Sequence, residues 1–255
     1  GRAAPAAGPS FTTAFGIVCR WFGENGSVIF ANFYTPASLW LLGMCAWLFF
    51  RQLGCSAPVC LLGGLAAALN GDFFSYACWG LPSVGISAGM TFLALAAIVS
   101  IRPGWFWGLP VLAGLAIGQA VMEGYDVGAL FSLYAAAFGI FWVLNTGGLK
   151  AKSFAKSVCL VTVMTLFAGL MAYHSIHSLR KTEMDGVVKR ELKPEDKWTM
   201  DTQWSLPKEE TFRVAISGLF GYRMDTREEG VYWGRVGQHP ELANILNQQK
   251  EEVEK

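Results

Sequence analysis

Three carboxylates lie among the apolar stretches of this sequence: Asp72, Glu123 and Asp126. An ionisable group close to a bilayer is costly and marks a candidate for function. Glu123-Gly124-Tyr125-Asp126 sets two acids three residues apart, on one helix face if the turn stays helical. Such acids can take a proton from an acceptor hydroxyl or bind a divalent cation. Equally, they can be loop residues that meet water. A second group of polar side chains lies near the C-terminal end. Arg223 and Arg235 flank aromatic and glycine residues, and either could hold a phosphate bidentately or be an ordinary surface arginine. Trp204 and Trp233 could stack on a sugar ring or anchor at a membrane interface. His174 and His177 have metal-ligand spacing but no third ligand nearby, so no metal centre is assigned.

The elements that position these groups are set by an uneven distribution of charge. Of 255 residues, 53% are hydrophobic and 15% charged, against about 25% charged in an average soluble domain. Only eight charged side chains fall between Phe30 and Tyr173, whereas 28 fall between His174 and Lys255. Lipid surrounds the first region and water the second. The expected class is an all-α polytopic membrane protein of about six transmembrane helices followed by an ordered extracytoplasmic segment. The net charge of +1, without a basic run, gives no reason to expect a nucleic-acid partner. The six cysteines form no CxxC or Cys/His pattern and read as small buried hydrophobes.

Residues 1–29 form an extracytoplasmic or interfacial N-terminal segment in which Phe11 to Phe22 suits a short interfacial helix with Trp21 at headgroup level. Residues 30–173 form the helical bundle. Its spans are expected near 30–50, 57–69, 82–101, 105–122, 127–144 and 157–173. The second reaches only about 20 Å and must end or kink near Gly71, borrowing length from Asn70 to Trp79. Gly63, Gly64, Gly85, Gly89 and the GxxxG pair Gly114 and Gly118 suit close helix packing within one bundle. Residues 174–255 form an extracytoplasmic loop or cap. Arg51, Arg102, Lys150, Lys152 and Lys156 occupy alternate connections, and the acids occupy the others. The positive-inside rule therefore puts the basic side in the cytoplasm and the acids and tail outside. Gly1-Arg2-Ala3 at the start suggests an internal piece of a longer protein.

Gln203-Trp204-Ser205-Leu206-Pro207 with Glu210, Gly218-Leu219-Phe220-Gly221-Tyr222-Arg223 and Tyr232-Trp233-Gly234 together resemble the large-loop pattern of the bacterial YfhO-like membrane proteins. The runs Leu69 to Leu81 and Ala113 to Asp126 look like inner helices of that family. The resemblance implies a GT-C-like glycosyltransferase architecture, a polyprenyl-phosphate-linked sugar as donor and a cell-envelope acceptor. It would make Asp72, Glu123 and Asp126 the catalytic candidates, and Arg223, Trp233, Trp204 and Arg235 the substrate-binding ones, with a divalent cation as a conceivable cofactor. The acidic motif of such enzymes usually sits in a first outer loop, upstream of the part matched here. The rival class is a non-catalytic polytopic protein, a transporter or an assembly subunit of an envelope complex, whose partners are membrane lipids and complex subunits. No internal repeat of the transporter kind occurs, and the acids gather toward one face.

Overall fold

The computed structural model describes residues 9–78, 81–101, 108–179, 211–212 and 219. The chain divides into two compact units, Gly1–Val187 and Val188–Lys255. In the second, the described residues are a short 3-10 turn at 211–212 and a turn at 219. In the first, the described elements are all helices: α1 (Pro9–Gln52), α2 (Ala57–Ala68), α3 (Gly71–Cys78), α4 (Pro82–Val99), α5 (Gly108–Glu123), α6 (Tyr125–Gly147) and α7 (Ala151–Leu179).

Four of these helices are long and apolar enough to cross a membrane: α1, α4, α6 and the stretch Ala151–Tyr173 of α7. Helices α2 and α5 are apolar but shorter. Helix α4 is the central one, with 72% of its most apolar window buried, against 17% for α6 and for α7. The outer faces of α6 and α7 expose Leu130, Leu133, Phe141, Phe154, Val158, Leu166 and Leu170. Large side chains of this kind, in rows along apolar helices, are tolerated where lipid replaces water.

Glycines fix both the helix directions and the closeness of packing. Gly85 faces Ser38 and Gly89 faces Leu42, so α4 runs parallel to α1. Gly43 meets Gly64 and Ala68 while Gly63 meets Phe50, so α2 returns antiparallel. Gly114 lies on Met164 and Gly118 on Ala168, so α5 and α7 are parallel neighbours. Gly139 packs on Leu160 and Gly147 on Ser153, so α6 runs against α7. The expected small-residue packing within one bundle therefore holds. Leu95, Ile98, Ile117, Leu160 and Met164 form the core between these contacts.

The break in the second element falls where Asn70 and Gly71 interrupt the apolar run. Helix α2 ends at Ala68, with Leu69 as its C-cap, and α3 starts at Gly71. Asn70 Oδ1 accepts the Asp72 N–H at 3.0 Å, a local bond that competes with helix continuation. Helix α1 departs further from expectation. Gly23, at φ 67° and ψ −165°, interrupts it. The rings of Phe11 and Tyr34 lie 5.0 Å apart and those of Phe11 and Phe30 6.0 Å apart. In a continuous helix residues 11 and 34 would stand about 34 Å apart. Residues 9–22 therefore fold back along residues 24–34 as a helical hairpin, which joins the first described residues to the bundle.

Candidate functional site

With these helix directions, opposite ends of the bundle carry opposite charge. Arg51 closes α1, and Lys150 and Lys152 stand at the start of α7, all at the end where α4 finishes and α5 begins. Glu123 ends α5 and Asp126 lies in the first turn of α6, at the other end. Helix α7 finishes there too, since Tyr125 Oη donates to the Ser175 carbonyl at 3.3 Å. The last turn of α7 thus lies at the acidic end.

Glu123 and Asp126 do not share a helix face. Gly124 adopts an extended conformation, φ −148° and ψ 99°, and separates α5 from α6. Its N–H donates to the Ala120 carbonyl at 3.2 Å, completing α5, while its carbonyl opens α6 by accepting the Gly128 N–H. Close apposition of Gly128 to Ala120 and Val121 makes the turn tight. Glu123 consequently points into the protein, 6% exposed, and Asp126 is exposed at the surface. Asp72, also exposed, stands at the N-terminus of α3, within the broken second element rather than in a loop after it. Two of the acids, Asp72 and Asp126, are therefore exposed in the first turns of different helices and the third, Glu123, is buried.

Glu123 is the only ionisable side chain among the buried polar and charged residues described. Its Oε1 accepts the Ser10 N–H at 3.1 Å and the Gln119 side-chain N–H at 2.8 Å. Gln119 Nε2 also donates to Ser10 Oγ. Ser10 lies in the first turn of α1, where backbone N–H groups have no partner within the helix and the dipole favours a negative charge. Glu123 caps that helix from 113 residues away. Its Oε2 is buried and has no hydrogen-bond partner among the described residues.

Next to this cluster, Ser87 Oγ donates to the Ala120 carbonyl at 2.9 Å, a fully buried bond between α4 and α5. Thr91 Oγ1 donates to the Ser87 carbonyl at 2.9 Å. Sequence reasoning passed over Ser10, Gln119 and Ser87. Gln119 had a local signal, since it precedes Glu123 by four residues on one helix. Ser10 had none.

No group of three or more His, Cys, Asp and Glu residues able to hold a metal occurs among the described residues. His177 stacks on Tyr173, with ring centroids 6.0 Å apart. Cys45 and Cys60 are buried, Cys55 and Cys159 half-buried and Cys19 exposed, and all five are unpaired thiols. Trp204, Arg223, Trp233 and Arg235 lie outside the described residues, as does Arg102. No family model matches the chain, and no curated protein or solved structure is significantly similar to it.

Proposed function

We propose that the chain is a six-pass membrane bundle, with α2 and α3 together forming one pass, that contributes the outward face of a lipid-linked-sugar glycosyltransferase. The observation that carries this reading is the charge polarity of the bundle. The lysines start α7 at one end, while Asp126, Glu123 and the last turn of α7 lie at the other. By the positive-inside rule the acidic end faces away from the cytoplasm. That is the side on which a polyprenyl-phosphate sugar is used in the enzymes the sequence resembles. Asp126 is the general base on this reading: it is exposed at that end and can meet an acceptor hydroxyl, whereas Glu123 is buried against Ser10 and Gln119.

The test is sugar transfer by the full-length protein in lipid, with a polyprenyl-phosphate sugar as donor. Asp126→Asn retains size and removes the charge, and transfer should fall by about 10²-fold or more if this carboxylate is the base. Transfer unchanged by Asp126→Asn contradicts that role.

One observation favours a second reading, a non-catalytic subunit of an envelope complex. Glu123, the most buried of the acids, is engaged by Ser10 and Gln119 and so serves the fold. On that reading no acid substitution alters sugar transfer, and Glu123→Gln lowers stability alone.

A further inference from the structure

We propose that residues 9–22 are a hinged strap, pivoting at Gly23 and latched by Glu123, that closes the acidic end of the bundle over a buried carboxylate. Three independent features carry this. The hinge is a backbone conformation, φ 67° with ψ −165°, that glycine alone adopts readily. It reverses the chain without any intervening loop. The latch is a polar cluster at the far end of the strap, where Glu123 Oε1 accepts from the Ser10 N–H and from Gln119, and Gln119 reaches Ser10 Oγ. The third feature is the unused oxygen. Glu123 Oε2 is buried without a hydrogen-bond partner among the described residues, which is costly for a carboxylate.

Beside the latch, Phe11 packs against Phe30 and Tyr34 in the rest of α1, and near the hinge Val18 and Phe22 lie close to Gly26. Ile17, Trp21 and Phe22 are exposed. The latch thus ties the end of the strap to α5. Opening removes the Ser10 donors from Glu123 and turns the carboxylate from an internal helix cap into a solvent-facing acid. Any ligand that donates a hydrogen bond to Oε2, a hydroxyl or an amine, gains access by the same movement. The strap does not depend on the glycosyltransferase reading, because its hinge and latch are intramolecular.

The experiment is double electron–electron resonance on the protein in lipid nanodiscs, with spin labels at Thr13→Cys on the strap and Ala129→Cys on α6, both exposed positions, in a background freed of other cysteines. A second pair, Leu133→Cys on α6 and Leu166→Cys on α7, both exposed, monitors the bundle itself. The unsubstituted latch should give one narrow strap distance. Ser10→Pro deletes the donating N–H and hydroxyl yet suits the first turn of a helix. It should raise the population at longer distance about fivefold or more, as expected for loss of a charge-assisted hydrogen bond. Glu123→Ala should act likewise, and neither should alter the Leu133–Leu166 distance. A strap distribution unchanged in both variants overturns the proposal. So does a broadening of both label pairs together, because the cluster then holds the whole bundle rather than a hinged segment.

Discussion

Adding one methyl group at Gly118 tests the packing on which the bundle rests. A Cβ at that position would lie 2.6 Å from Met171 Cβ, 2.7 Å from the Ala168 carbonyl oxygen and 3.0 Å from Ala168 Cα. Comfortable carbon contacts are about 3.5–4.0 Å, so the obstruction amounts to roughly 1 Å. Two of the three obstructing atoms are backbone and cannot turn aside. Helix α7 must then retreat from α5, which also loosens Gly114 from Met164 and the core around Leu160. Overpacking of this kind costs about 1–3 kcal/mol, and the rigid surroundings argue for the upper part of that range. Replacing a helical glycine by alanine returns about 0.5–1 kcal/mol of backbone entropy. The net loss for Gly118→Ala is therefore about 2 kcal/mol. Gly169, on α7 itself, has nothing within 4 Å of its added Cβ. Gly169→Ala should stabilise by about 0.5–1 kcal/mol, leaving a gap between the two variants of roughly 3 kcal/mol. Reversible unfolding in mixed micelles, followed by circular dichroism, measures both. Equal stability of the two variants would refute the close α5–α7 contact.

Two further perturbations address the hinge and the buried hydrogen bond. Gly23→Ala forces a side chain into the glycine-only region and should cost about 1–3 kcal/mol, seen as about 5- to 150-fold faster amide hydrogen exchange over residues 9–34. Exchange there at the rate of the unsubstituted protein would exclude the reversal at Gly23. Ser87→Ala removes the α4–α5 bond to Ala120 and should cost about 0.6 kcal/mol, and no more than about 2, in the same unfolding measurement. A loss well above that would mean Ser87 has a role beyond this bond.

The sequence disclosed those features that depend on neighbouring residues. Apolar runs located the long helices, and Asn70-Gly71 located the break before α3, because a short apolar stretch followed by a turn-forming pair leaves the helix no continuation. Gly114 and Gly118 announced a close helix contact through their spacing, though not that α7 would be the partner. A shared face for Glu123 and Asp126 depended on the turn between them staying helical, and extended Gly124 breaks it, sending one side chain inward and the other outward. The fold-back of residues 9–22 escaped because its determinants are a single glycine torsion and contacts such as Phe11 with Tyr34. Nothing in the residues near Ser10 announces a carboxylate that arrives from α5.

Orientation is the claim on which the functional account depends, and one labelling measurement addresses it. Lys152 and Asp126 are both exposed and lie at opposite ends of the bundle. Single cysteines at these positions, in an otherwise cysteine-free full-length protein, can be treated in intact cells with a thiol reagent that does not cross membranes. The account predicts that Asp126→Cys is modified in intact cells and Lys152→Cys only after the membrane is permeabilised. Modification of Lys152→Cys in intact cells, with Asp126→Cys protected, would contradict it.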